Sequence, residues 1–131
     1  MMPYLNISPI SLLNCIRNNI KGPFPEGESI IATNPYTAFY YACYILKDRF
    51  LEGEEVIKTD SYYAYRYISE ILKRRWPEAE PVIARDPQWA VLYSEIIQGR
   101  FLESEPIIAK DYLWTRKYNQ IMKELGIEFR L

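Results

Sequence analysis

Apolar residues recur along the chain at spacings of three and four, inside windows that open on a helix-capping residue. Counting from Ser8, Asn34, Asp60, Asp86 and Asp111, the fourth residue is Leu12, Ala38, Ala64, Ala90 and Thr115. The seventh is Cys15, Tyr41, Tyr67, Tyr93 and Tyr118, and the eleventh is Asn19, Ile45, Ile71, Ile97 and Met122. Such steps keep side chains on one helical face, which Ile16 and Ile68 widen. Each window therefore predicts a helix of about 13–14 residues with one buried face. The five opening residues are all N-cap types, and Pro9, Pro35 and Pro87 follow three of them, where a missing N–H costs nothing.

A shorter element precedes each of the last four windows. It starts after an aromatic residue, Phe24, Phe50, Trp76 or Phe101. Carboxylates fill its first turn: Glu26 and Glu28, Glu52 and Glu54, Glu78 and Glu80, Glu103 and Glu105. That placement complements a helix dipole. An apolar pair follows each time, Ile30-Ile31, Val56-Ile57, Val82-Ile83 and Ile107-Ile108, and predicts a helix of one to two turns facing the longer one.

The four aromatic residues lie 26, 26 and 25 positions apart. The chain thus divides into a half repeat, 8–23, and repeats 24–49, 50–75, 76–100 and 101–126, all within one domain spanning 1–131. Helices this short are marginal alone, and one unit cannot bury its own apolar face, whereas stacked units bury a continuous core. The expected fold is an all-α, right-handed helical solenoid of stacked short-helix/long-helix repeats.

The recurring motif is an aromatic residue, Pro-Glu-Gly/Ala-Glu, Ile-Ala-x-Asp-Pro, then a Tyr-rich helix ending Ile-Leu-Lys-x-Arg. It resembles short tandem α-helical repeats of tailed bacteriophage proteins whose function is unassigned. The resemblance runs through residues 8–126, implies a fold and a viral origin, and carries over no catalytic residue. Leu102, in place of proline, and Arg100, one position early, depart from it.

Composition narrows the chemistry. The 131 residues carry 16 Lys+Arg against 17 Asp+Glu and no histidine, for a net charge of -1. Near-neutrality argues against a general polyanion binder and equally against a DNA mimic. Without histidine there is no Ser-His-Asp or Cys-His pair and no imidazole ligand for zinc. Two cysteines, Cys15 and Cys43, are too few for a disulfide scaffold, and their phases differ by two residues, about 200° around a helix. Residues 1–8 lack the basic start and apolar stretch of a signal peptide, and the longest apolar run, Phe39 to Leu46, is far short of a membrane span. A cytoplasmic protein with no membrane partner is the expectation.

Three surfaces are candidates for function. The glutamate ladder recurs in every unit, which assigns it to helix-end electrostatics and pairing between adjacent units rather than to a local cation site. Lys73-Arg74-Arg75-Trp76, with Arg66 upstream, could hold single-stranded nucleic acid, or it could be a cationic helix end followed by a core aromatic. Tyrosine is the residue in excess. Tyr36, Tyr40 and Tyr44 form a stripe at steps of four, matched on the next helix by Tyr62 and Arg66. Tyrosine and arginine suit a protein interface, and they suit packing between units equally well. The functional expectation is a non-enzymatic protein-binding module using Tyr36, Tyr40, Tyr44, Tyr62 and Arg66, with no cofactor, metal or catalytic residue. If the chain is phage-derived, a host or defence protein is the partner. The alternative is a single-stranded nucleic-acid reader, for which the sixth residues after the caps (Asn14, Tyr40, Arg66, Leu92 and Lys117) would be the varied code.

Overall fold

The computed structural model describes residues 6–131, so the first five residues of the N-terminal reading lie outside it. Among the described residues the chain is all-helical, with no strand. The long helices are α1 (Pro9–Cys15), α3 (Pro35–Tyr40), α5 (Ser61–Tyr67), α7 (Pro87–Ile97) and α9 (Tyr112–Glu124). The short ones are α2 (Glu28–Ile31), α4 (Leu51–Ile57), α6 (Glu80–Ile83) and α8 (Glu105–Ile108). A 3-10 turn leads into three of these: Pro25–Gly27, Pro77–Ala79 and Leu102–Ser104. The expected caps accept backbone N–H bonds at Ser8, Asn34, Asp60 and Asp111. Asp86 holds the same extended backbone but makes no side-chain cap bond.

The helices α1, α3, α5 and α7 each pack against the next long helix and against the short helix that follows. The core fills the seam. Tyr41, Tyr67, Tyr93 and Tyr118 are wholly buried, as are the second members of the apolar pairs, Ile31, Ile57, Ile83 and Ile108. Trp76 is core, like Phe50 and Phe101. A small residue lies under each aromatic: Gly27, Gly53, Ala79 and Ser104, all buried. At Gly53 an added Cβ would stand 2.5 Å from the Phe50 ring and 2.9 Å from the Ala38 side chain on α3, so the close approach of α4 to α3 requires glycine there. In the last unit the hydroxyl of Ser104 instead donates to the Ala84 carbonyl, 2.8 Å away.

One polar network recurs in the four complete windows. The Tyr67 hydroxyl accepts the Phe50 N–H at 2.9 Å and donates to Glu54 at 2.6 Å. Arg49 grips the same carboxylate through two nitrogens, at 2.9 and 2.8 Å. Tyr93, Trp76, Glu80 and Arg75 repeat this arrangement, and so do Tyr118, Phe101, Glu105 and Arg100. Tyr41, Phe24 and Glu28 repeat it without the arginine, because Pro23 stands at that position. Each hydroxyl both accepts and donates, so the phenol is satisfied inside the core, and no buried side-chain N or O among the described residues lacks a partner. Burial pushes the Glu54 and Glu80 carboxyls up, yet the arginine and tyrosine bonds outweigh it and hold both below their ordinary value near 4.5. For Glu105 the Arg100 bond leads the same downward direction. Burial, then the neighbouring carboxylate, holds the four tyrosine hydroxyls well above their ordinary 10.0.

The uneven spacing of the units has a structural cause. α1, α3 and α5 each run on into a π-helical turn, Ile16–Ile20, Tyr41–Leu46 and Ile68–Leu72. There the N–H groups of Lys21, Lys47 and Lys73 reach back five residues, to Ile16, Ala42 and Ile68. A π turn accommodates one extra residue in a helix. Caps followed by such a turn are 26 residues from the next cap, whereas Asp86, followed by the uninterrupted α7, is 25 from Asp111. All four helices then stop on a left-handed residue, Lys21, Lys47, Lys73 or Gln98, with φ between 53° and 60°. Counted back from that stop, Ile96 and not Ile97 is the counterpart of Ile45 and Ile71, which corrects the eleventh-position alignment. The position is half-buried on these helices, and on α1 it is the exposed Asn19, so the core face is narrower at the C-terminal end than the periodicity implies.

Two outcomes follow. Tyr93→Phe strips the buried Trp76 N–H of its acceptor and should cost about 1–3 kcal/mol, with Tyr41→Phe costing less because Phe24 is only half-buried and water can reach its N–H. The carboxylates confer stability that is complete above about pH 4.5 and lost as pH falls through their lowered folded values. The tyrosines confer stability that is complete below about pH 10 and lost as pH rises toward their raised folded values. Denaturant titrations across pH should therefore show a plateau bounded on both sides, and Tyr93→Phe should weaken the alkaline limb. Second, deleting Ile68 leaves Tyr-Ser-Glu-Ile-Leu-Lys, in register with Tyr93-Ser94-Glu95-Ile96-Ile97-Gln98. Circular dichroism should show a folded chain destabilised by about 2–4 kcal/mol, whereas deleting Val91 from the uninterrupted α7 should abolish cooperative melting.

Candidate functional site

The surplus tyrosines form two adjoining rows on α3 and α5. Along the first, Tyr36 and Tyr40 have ring centroids 4.7 Å apart, and Tyr40 and Tyr44 lie 5.0 Å apart, Tyr44 on the π turn. The row steps from half-buried Tyr36 and Tyr40 to Tyr44, which is 51% exposed. Along the second, Arg66 donates to the Tyr62 hydroxyl at 3.2 Å and to Glu70 at 2.8 Å. Steps of four place these side chains one above another, as the spacing predicts.

A third set of rings, which periodicity alone did not single out, joins the rows. Tyr63 of α5 stands 6.0 Å from Tyr36 and 5.8 Å from Phe39 on α3. Trp89 of α7 repeats that placement one helix on, 5.0 Å from Tyr62 and 5.5 Å from Tyr65. Both occupy the third position after their cap, where Trp114 also stands, and this run of aromatics was the available signal. The Arg66 guanidinium lies 4.7 Å from the centroid of Phe39 on the neighbouring helix. The Cys43 thiol donates to Glu70 at 2.9 Å. Burial, reinforced by that carboxylate, pushes the thiol up to about 11, which leaves it protonated and unreactive at neutral pH. Burial raises the Glu70 carboxyl less than the Arg66 and Cys43 bonds lower it, so it stays ionised.

The five sequence-chosen residues therefore divide by environment. Tyr36, Tyr62 and Arg66 make contacts that bridge helices or serve those that do. Tyr40 and Tyr44 have ring contacts with residues of their own helix, α3, and Tyr44 presents half its surface to solvent. The basic stretch resolves differently. Trp76 is buried at 4% exposure, and Arg75 is committed to Glu80, so Trp76 offers no face on which a base could stack. A different basic groove opens at the end of the tyrosine row, lined by Arg17, Lys21, Lys47, Tyr44 and Ile45.

Cys15 and Cys43 are both free. Among the described residues no group of three His, Cys, Asp or Glu side chains is placed to hold a metal ion, and no helix is long and apolar enough to cross a membrane. No protein-family profile, curated protein or solved structure matches the chain.

Proposed function

We propose that the chain is a right-handed helical solenoid acting as a non-enzymatic protein-binding module, with the tyrosine row of α3 at its binding surface. The successive packing of long helix on long helix, and the lock of arginine, glutamate and tyrosine recurring along it, support the stacked reading. The observation that carries the function is the row itself: three tyrosine rings in mutual contact that run outward from the core to the half-exposed Tyr44. Tyrosine gives large contact area at low cost in conformational entropy, and rings already fixed against one another lose less freedom on binding. The resemblance to repeats of tailed bacteriophages points to a host protein as partner, and inhibition of a defence system is the concrete form of that reading.

A second reading, single-stranded nucleic-acid binding, draws on one observation. The groove at Arg17, Lys21 and Lys47 sets three cations beside the exposed Tyr44 ring, which is the combination that grips phosphate and stacks a base. The net charge of -1 favours the protein partner.

Affinity capture from host lysate with the parent chain and variants of it, beside a low-salt assay with single-stranded DNA, separates these readings. Tyr40→Ala and Tyr44→Ala should each weaken the captured protein by about thirty-fold, roughly 2 kcal/mol. The midpoint should stay near the parent's for Tyr44→Ala and fall for Tyr40→Ala, whose half-buried ring packs on Phe39. Arg66→Ala should lower the midpoint instead, because its guanidinium rests on Phe39 of the neighbouring helix. A partner retained by both tyrosine variants contradicts the proposal. Tight low-salt binding of single-stranded DNA, abolished by Lys21→Ala with Lys47→Ala, establishes the second reading.

A further inference from the structure

After α9 the backbone changes course. Gly126 takes a left-handed turn at φ 76°, and the Ile127 N–H bonds back to the Met122 carbonyl at 2.9 Å. From there residues alternate: Ile127, Phe129 and Leu131 are half-buried against the core, while Glu128 and Arg130 face solvent. The last residue is fixed at both ends of its backbone. Its N–H donates to Asn119 Oδ1 at 2.7 Å, and its carbonyl accepts from Asn119 Nδ2 at 3.4 Å.

The position of Phe129 is informative. In the three preceding windows the buried tyrosine carries, on one side, the aromatic residue that opens the next unit. Tyr41 meets Phe50 with centroids 5.0 Å apart, Tyr67 meets Trp76 at 5.4 Å, and Tyr93 meets Phe101 at 5.1 Å. Tyr118 has no aromatic nine residues on, where Ile127 stands. Phe129 stands against the Tyr118 ring instead, 6.3 Å away and edge-on. It comes 11 residues after Tyr118, where the other intervals are 9, 9 and 8, so the contact is reached by a different backbone path. Arg100, the arginine of the last lock, lies over the Phe129 ring at 3.6 Å while holding Glu105.

We propose that residues 126–131 cap the repeat 101–126, with Phe129 taking on Tyr118 the place that a following unit's aromatic would take, so that this face is closed in cis. The proposal rests on the stacked-unit reading above. The occupant of the end face is the chain's own tail, already seated there. Arrays of this kind need such a closure, because the outer face of their last unit is as apolar as any inner seam.

The test compares the full chain with a chain ending at Leu125, with Phe129→Ala and with Phe129→Trp, by thermal melting and residue-resolved hydrogen exchange. The chain ending at Leu125 and Phe129→Ala should both melt about 5–10 °C lower. Both should lose exchange protection in residues 101–125 alone, since a cap on a stack guards its neighbour. Phe129→Trp should keep the parent's midpoint and protection, as Trp76 serves in the same place on Tyr67. Unchanged protection at 101–125 in both shortened variants overturns the cap while leaving the stack intact. Failure of Phe129→Trp to hold the midpoint also overturns it. Protection lost evenly back to α1 overturns the stacked reading, and the cap with it.

Discussion

A tyrosine hydroxyl inside the core is the constraint on which the rest of this structure depends. A phenol cannot be buried cheaply unless its hydroxyl is bonded, and an aromatic residue cannot begin a helix inside the core unless its N–H is bonded. Each window meets both demands with one contact: the hydroxyl of Tyr67, Tyr93 or Tyr118 takes the N–H of Phe50, Trp76 or Phe101 and gives its own proton to a glutamate. The glutamate is held in turn by the arginine immediately before that aromatic. The network ties the start of the short helix to the middle of the long helix that follows, so the two cannot shift independently. It also fixes what the periodicity leaves free, since a phenylalanine would satisfy the pattern equally well and leave an N–H stranded.

The π turns show how a repeating core tolerates an irregular count. One residue more than an α-helix needs is absorbed between the buried tyrosine and the left-handed stop, so the tyrosine and the stop both keep their places. In α7 the residue is absent, and Ser94 satisfies itself there by donating to the Val91 carbonyl at 2.5 Å. Tyr44, the most exposed ring of the aromatic row, lies on such a turn.

Much of this was legible in the residues. Cap types, the aromatic before the short helix and the buried isoleucine of each pair follow from local chemistry that every helix obeys, and the helices stand where they were expected. The carboxylate at Glu54, Glu80 and Glu105 was read as helix-end electrostatics with pairing to an adjacent unit, and Arg49, Arg75 and Arg100 supply that pairing. The tyrosine bond was not legible, because a face pattern registers that a side chain is buried and not what its hydroxyl meets. Nor was the bridging role of Tyr63 and Trp89, which depends on how one helix settles against the next. The spacing of 25 against 26 was visible, but its cause lay in backbone hydrogen bonding, and counting through it misaligned Ile97.

The most direct measurement of the central claim is the folding of a chain from which residues 50–75 have been removed. The deletion joins Arg49 to Trp76 and so rebuilds one lock from Arg49, Trp76, Glu80 and Tyr93 across the junction. If the lock and the stacking of neighbours carry the structure, the shortened chain keeps the parent's helicity per residue and melts cooperatively at a lower temperature. A chain that loses its helicity, or that melts without a cooperative transition, would contradict the account and show that the units depend on contacts beyond their neighbours.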